Sequence, residues 1–560
     1  MKFSTKLLSQ TLVQLCLEKG INHIVISPGS RNAPLTIGFG EHPKFKCFSV
    51  VDERSAAFFA LGMAQQLKKP VAVVCTSGSA LLNYYPAIAE AFYSDIPLVV
   101  LSADRPAEFI DIGDGQTIRQ ENVFENLILY SANCKEGEEF QVHNETEINI
   151  ALNTAYELNG PVHINIPFSE PLYKTTEHQL VWPQNVPPRL PIISSGENIS
   201  QEVFTDFVEQ WNSSKRKMIL VGVLAPDSLE QRFVEQLAND ESVLVLTETT
   251  SNLHNPNFIS AIDQLIAPLT EDDFKLLQPE VLLTFGGMIV SKKIKSFLRT
   301  FPPKTHWHID SKRAYDTFFA LDQHFKGSIN EFCAEFLPKT VEVASEYKKH
   351  WLQIKNYRLA RHEIYETQIP YSDFMVFCTV LSELPQNIQL QLSNSATIRY
   401  AQLFDIPSSV EVFCNRGTSG IDGSTSTAVG AAYASKLPTV FLTGDLSFFY
   451  DSNGLWNDCI PSNFKIVVVN NGGGGIFRIL PGDKDSELFD TYFETKHSLS
   501  AKQLSEMFGF NYAVINDKED LREKVKDFFG SENGPSLLEI FTPSTVNDAV
   551  LLEYFRFVGI

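Results

Sequence analysis

The 560-residue chain carries 67 acidic against 46 basic side chains, a formal charge of −21, and is 44% hydrophobic and 20% charged. Such acidity excludes a general nucleic-acid binder, which needs surplus Lys and Arg to neutralise phosphates, yet it leaves room for a local basic pocket. Length and composition predict about three soluble domains, each large enough for its own core.

Residues 1–20 place Leu7, Leu8, Leu12, Leu15 and Cys16 at helical spacing. They lack the continuous apolar core and small-residue cleavage site of a signal peptide. No apolar run reaches the roughly 18 residues of a membrane span. A first α/β block, 1–180, has strand-like runs at 21–27, 48–51, 70–75, 97–101 and 163–166, each closed by a polar or glycine turn. Four prolines between 181 and 195 read as a linker. A second block, 196–340, repeats the alternation at 217–224, 242–247, 279–285 and 306–309, and a charged helical stretch, 344–366, leads onward. The third block, 371–560, has runs at 388–392, 410–414, 438–443, 464–469, 512–515 and 536–541. Strands alternating with helices predict three consecutive doubly wound parallel-sheet domains of α/β class. The eight cysteines include no Cys-x-x-Cys pair. Reduced thiols and a cytoplasmic protein are the expectation.

The densest chemical signal lies between Gly444-Asp445-Leu446-Ser447 and Asn470-Asn471-Gly472-Gly473-Gly474-Gly475. Asp445 and Asn471 stand 26 positions apart, each just past an apolar run. A βαβ crossover of that length sets the acid and the amide side by side at the carboxyl edge of one sheet, where open α/β sheets bind ligands. Carboxylate, amide and carbonyl oxygens suit Mg2+ (or Mn2+) holding a diphosphate, and the glycines let backbone approach the phosphates. This pattern resembles the metal motif of thiamin-diphosphate enzymes, with Leu446 where a third glycine is usual. The resemblance implies a pyrimidine-binding first domain and a diphosphate- and metal-binding third domain. In Val50-Val51-Asp52-Glu53-Arg54-Ser55 a carboxylate opens a helix, an ordinary partner for the helix dipole. The resemblance gives Glu53 a further role. Bonded to the aminopyrimidine N1′, it supports the imino tautomer that deprotonates thiazolium C2.

Six further motifs narrow the family: Ser27-Pro28-Gly29-Ser30-Arg31-Asn32, Asp52-Glu53-Arg54, Thr76-Ser77-Gly78-Ser79-Ala80, Ala103-Asp104-Arg105-Pro106, Gln116-Thr117-Ile118-Arg119-Gln120 and Asn415-Arg416-Gly417-Thr418-Ser419-Gly420-Ile421-Asp422-Gly423. In this order they closely resemble the 2-succinyl-5-enolpyruvyl-6-hydroxy-3-cyclohexene-1-carboxylate synthases of menaquinone biosynthesis. That resemblance implies a transferase that decarboxylates 2-oxoglutarate and adds the succinyl carbanion 1,4 to isochorismate. It also implies a homodimer or homotetramer, with each active site between chains.

Both substrates are polyanionic, and arginine's fork suits carboxylates. Arg31, Arg105, Arg399 and Arg416 are the expected cations. Lys292 would add charge from the middle domain, although Lys293 stands where the family usually has Arg. The resemblance places Ser30 and Gln116 by the substrate as catalytic candidates beside Glu53, Gln116 otherwise being a plain loop residue. Ser395 belongs to an Asn-Ser loop near the cofactor, and a helix N-cap would equally explain it. Ile421 would support the cofactor's bent shape, Ser447 would meet the diphosphate and Gly473 the metal through its carbonyl. Ile476 and Phe477 are either apolar walls of the site or core. Two rival readings are another thiamin-diphosphate decarboxylase or acetolactate-type carboligase, which would want an apolar pocket, and a non-catalytic cofactor sensor, which would not require Glu53.

Overall fold

The computed structural model describes residues 1–188, 201–479, 484 and 486–560. Three parallel sheets carry the fold. The first runs Lys46–Ser49, His23–Ile26, Val71–Cys75, Leu98–Asp104, Val162–Pro167, Tyr130–Asn133 in space. The third runs Glu411–Cys414, Gln389–Leu392, Thr439–Gly444, Phe464–Asn470, Ser536–Phe541, Asn511–Ile515. Numbered within their own sheets, both follow the order second, first, third, fourth, sixth, fifth. The middle sheet is Val243–Leu246, Lys217–Val221, Val281–Phe285, Thr305–Ile309, Leu321–Phe325.

The apolar runs became strands because both faces of each sheet are covered by helices, so every position of Val71–Cys75 and Leu98–Asp104 is buried. In the three parallel sheets, the strands without a matching run are Tyr130–Asn133 and Leu321–Phe325. Both lie at sheet edges and are only partly buried, so their polar residues carry no apolar signal. Of the proline-rich stretch, 181–188 forms neither helix nor strand, and 189–195 lies outside the described residues. The charged stretch after the second sheet is the 20-residue helix Tyr347–Glu366.

One core joins the first and third sheets: Val25, Val73 and Val100 belong to the same apolar cluster as Phe441, Ile466 and Leu537. Helices Glu53–Leu67 and Ser424–Ala434 cross within it, backbone against backbone. A Cβ on Gly62 would lie 2.1 Å from Thr427 O, and one on Gly430 would lie 2.0 Å from Phe59 O. Only glycine permits that approach.

In both outer sheets the chain reverses its winding between the first and third strands, the crevice where doubly wound sheets take ligands. The loops there are Ser27–Asn32 and Thr76–Gly78 in the first sheet, and Ser393–Ser395 and Asp445 in the third. No helix among the described residues is long and apolar enough to cross a membrane.

Candidate active site

The parallel register pairs Gly444 with Val469, so the chain leaves two adjacent strands at one level into Asp445 and Asn470-Asn471. Asp445 is buried, and its Oδ2 accepts the backbone N–H groups of Gly472 (2.9 Å) and Gly473 (3.0 Å). Those bonds fold the glycine loop over the carboxylate. Gly473 has φ 156°, and a Cβ there would press on Glu494 O at 2.7 Å, so the close turn requires glycine. Asn471 Nδ2 donates to Asp373 Oδ2 at 2.8 Å, whereas its Oδ1 is buried without a partner. A buried carbonyl oxygen left unpaired beside a carboxylate is what a hard cation with oxygen ligands would complete. The donor set therefore fits magnesium or manganese. Ser447 Oγ donates to Ile421 O (3.0 Å), tying the helix after Asp445 to the Asn415–Gly423 loop.

Ser395 stands at the N-cap of helix Ala396–Ala401 but makes no capping bond. Its φ of 68° and ψ of −124° are strained for a residue with a Cβ, a conformation that gathers at functional sites. The N-cap explanation thus covers its position and not its side chain. Arg399 Nη1 donates to Ser395 O (3.3 Å), and Arg416 Nη1 donates to Asn394 Oδ1 (2.7 Å). Burial lowers the Arg399 pKa, the Arg416 charge lowers it further and Asp263 opposes the fall. Arg416 Nε is buried without a partner.

Asn394 is the hub of this corner. Its Nδ2 donates to Asn415 O (2.7 Å) and Gly420 O (2.8 Å) while its Oδ1 receives Arg416. Sequence reasoning passed it over, since its role is set by loops 21 and 26 residues away.

From the middle domain, Lys292 lies exposed at the start of helix Lys292–Thr300. Lys293 is also exposed, with its ammonium 5.1 Å from the Phe555 ring centroid. Lys295, one turn on from Lys292, is the half-buried cation: desolvation lowers its pKa, Glu248 opposes that and Arg416 adds to it. Glu248 accepts N–H bonds from Val290 and Ser291, both 2.7 Å, and burial pushes its carboxyl up to about 7. The signal for Lys295 was its helical spacing from Lys292, which the motif alone did not convey.

In the first domain, Arg31 is buried, donating Nη1 to Phe168 O (2.8 Å) and pairing with Glu170 at 3.2 Å. Its pKa is lowered by burial and then by Arg105. Arg105 pairs with Asp114 (3.3 Å) and donates to Gly115 O (3.1 Å), leaving Nε buried and unpaired. Ser30 and Gln116 are exposed. The Gln116 carbonyl accepts Ser77 Oγ (2.9 Å), which docks its loop on Thr76–Gly78. A cleft of about 1060 Å³ opens beside Arg105. Glu53 is half-buried at the first turn of helix Glu53–Leu67. Its pKa is raised by desolvation, its backbone hydrogen bond opposes that, and Asp52 adds to the rise.

The candidates thus form two groups. Ser30, Arg31, Arg105 and Gln116 gather at the first sheet; Ser395, Arg399, Arg416, Ile421, Asp445, Ser447, Asn471 and Gly473 gather at the third. Among the described residues no hydrogen bond or ion pair joins the first four to Arg399, Arg416, Asp445 or Asn471. Ile476 begins the short helix Ile476–Ile479 after the glycine loop, and Phe477 is 37% exposed with its ring 6.1 Å from Phe493. Phe477 is therefore a surface aromatic and not core.

Residues 7–127 match the family described as the N-terminal TPP binding domain of thiamine pyrophosphate enzymes, 182–392 the middle domain and 395–540 the C-terminal TPP binding domain. The chain is 56% identical to the 2-succinyl-5-enolpyruvyl-6-hydroxy-3-cyclohexene-1-carboxylate synthase of Christiangramia forsetii, covering 100% of both chains. It is 56% identical to that of Flavobacterium psychrophilum over 98% of each, and 39% identical to that of Bacteroides thetaiotaomicron over 97% of each. A sheet edge whose oxygen donors fit a hard cation, three matched domains and 56% identity over the full length agree. The chain belongs to the 2-succinyl-5-enolpyruvyl-6-hydroxy-3-cyclohexene-1-carboxylate synthase family of thiamin-diphosphate-dependent enzymes of menaquinone biosynthesis.

Proposed function

We propose that the chain decarboxylates 2-oxoglutarate and adds the succinyl unit to isochorismate in a 1,4-addition. The observation that carries this reading is the anchoring of Arg399 and Arg416 on the consecutive residues Ser395 and Asn394, in a half-buried corner where Arg416 Nε is left unpaired. Like charges so placed are poised for a polyanion. Lys292 was the expected middle-domain cation; the half-buried Lys295 has the stronger claim.

Thiamin diphosphate, when bound, supplies the electron sink for decarboxylation. Asp445, Asn471 and the Gly473 carbonyl would hold its metal, and Ser447 its diphosphate. Glu53 would keep a proton shared with the pyrimidine N1′, a role that its raised pKa favours. Ile421 would support the bent cofactor, and Ser395 and Arg399 would border the reacting carbon. Ser30, Arg31, Arg105 and Gln116 would orient the second substrate, with Ile476 and Phe477 as apolar walls. The expected assignment of 1–180 to the pyrimidine, 196–340 to a central role and 371–560 to the diphosphate and metal follows the same logic. Incubating the purified protein with 2-oxoglutarate, isochorismate, thiamin diphosphate and Mg2+ and weighing the product tests the reaction. Absence of the succinylated ring acid would refute it.

That no hydrogen bond or ion pair among the described residues joins Ser30, Arg31, Arg105 and Gln116 to Arg399, Arg416, Asp445 or Asn471 supports an active site shared between copies of a homo-oligomer. Glu53→Gln and Asp445→Ala, each expected to be nearly inactive alone, are expected to recover roughly a quarter of parental activity when co-assembled, since random pairing leaves one intact site in mixed dimers. No recovery would place each site within a single chain. Eight cysteines without disulfides support a reducing, cytoplasmic setting.

A further inference from the structure

Asn471 is an amide with two unlike ends, and its surroundings commit them to different roles. Nδ2 donates to Asp373 Oδ2 at 2.8 Å, and Oδ1 is buried with no partner. Asp373 opens helix Asp373–Ser382, almost a hundred residues before the glycine loop, and is itself fixed from two further elements. Its Oδ1 accepts Thr542 Oγ1 at 2.5 Å, and its backbone N–H donates to Asn547 Oδ1 at 2.8 Å. Thr542 follows strand Ser536–Phe541, and Asn547 starts the helix Asn547–Phe557. Asp373 is thus tied to three elements and is 2% exposed.

An ionised carboxylate only accepts hydrogen bonds, so it can meet only the NH2 end of an amide. Turning Asn471 over would set its carbonyl oxygen against the carboxylate, losing a bond and opposing two negative ends. Asp373 thus selects which atom of Asn471 is left free.

We propose that Asp373 is the positioning residue of the metal site: it locks the Asn471 amide so that Oδ1, and not the NH2 group, is offered to the divalent cation. The proposal rests on the reading of Asn471 as a metal ligand. Carboxylates behind a ligand commonly fix its orientation and raise its basicity, and their loss weakens metal binding. Asp373 would do so for an amide, whose two ends are otherwise nearly equal in size and shape.

The test is Mn2+ binding in saturating thiamin diphosphate, read from the electron paramagnetic resonance of free Mn2+, with thermal unfolding of the cofactor-free protein measured alongside. Asp373→Asn keeps the shape but presents both a donor and an acceptor, so the Asn471 amide can turn. Mn2+ affinity is expected to fall about 10- to 100-fold. In an Asn471→Ala background the same substitution is expected to cost almost nothing further. An equal loss in both backgrounds, or unchanged Mn2+ affinity with only a lower unfolding temperature, would reduce Asp373 to a structural tie and overturn the proposal. Unchanged Mn2+ affinity in Asn471→Ala alone would remove the ligand reading and the proposal with it. Should Asp373→Asn fail to fold, Thr542→Val releases the Asp373 carboxylate instead. It is expected to weaken Mn2+ binding several-fold, and only while Asn471 is present.

Discussion

At the scale of single residues, Glu53 and Asp451 show how burial without a strong cation sets a carboxyl's behaviour. Glu53→Gln keeps the shape of the acid and removes its ionisable proton. Deuterium exchange at C2 of bound thiamin diphosphate is expected to slow by about 10²–10⁴-fold, the usual scale for losing a general acid–base group, while calorimetric cofactor affinity stays near the parent's. Undiminished exchange would assign this chemistry to another residue. Asp445→Ala removes the one charged oxygen of the metal set, so cofactor affinity itself is expected to collapse. Asp451 is fully buried and accepts from Ser426 N (2.7 Å) and Ser426 Oγ (2.9 Å), with Arg54 at 3.7 Å. Desolvation raises its carboxyl to about 7, against roughly 3.9 in an unfolded chain. Between those values the folded state binds more protons than the unfolded one, so this group's contribution to stability falls as pH rises from about 4 to about 7 and then levels. Asp451→Asn lacks that dependence. Its unfolding temperature relative to the parent is expected to improve from pH 5 to pH 8. A difference independent of pH would show that Asp451 is ionised in the fold.

At the scale of elements, the crossing of Glu53–Leu67 and Ser424–Ala434 joins the outer sheets and sets where the candidate site motifs begin. Glu53 opens one helix, and the Arg416–Gly423 loop feeds the other. Alanine normally exceeds glycine in a helix interior by about 1 kcal/mol, so Gly62→Ala would stabilise an isolated helix. Here the new methyl would meet backbone oxygen at 2.1 Å, which no side-chain movement relieves. The expected outcome is the opposite sign, a loss of about 1–3 kcal/mol as for overpacked cores, seen as a lower unfolding temperature. A stabilised Gly62→Ala would mean that the helices do not approach this closely. A second tie, Glu90, is 1% exposed and accepts from Gly417 N, Thr418 N and Thr418 Oγ1 at 2.7–2.9 Å. It holds the loop that carries Arg416.

At the scale of the whole molecule, a chain of charge −21 must admit two polyanions. On the proposed reading, Arg399 and Arg416 in a partly desolvated corner would overcome the general repulsion locally. Losing one such buried, charge-assisted contact costs about 2–5 kcal/mol in comparable sites. Arg399→Ala and Arg416→Ala are therefore expected to lower kcat/KM at least tenfold, about 1.4 kcal/mol. Pyruvate, without the distal carboxylate, is expected to be a poor donor for the unaltered protein. If pyruvate matched 2-oxoglutarate and both variants kept parental kinetics, an acetolactate-type carboligase would be the better reading.

Fifteen strand-like runs and the Asp445–Asn471 spacing were legible in the chain because each depends on neighbours in sequence. A buried parallel strand is apolar along most of its length, and a βαβ crossover fixes where its ends meet. The edge strand Tyr130–Asn133 was not legible, since it is only partly buried and its partner lies 32 residues away. The same limit hid Asn394, Lys295 and Asp373. Asn394 acts through carbonyls of a distant loop, Lys295 is separated from exposed Lys292 only by which turn of its helix packs inward, and Asp373 meets Asn471 across 98 residues. Residue types and local spacing, written in the sequence, determined the fold class and the cofactor chemistry. Which polar atoms are paired and which are left open was decided only when remote segments packed together, because hydrogen-bond satisfaction is a property of the assembled interior.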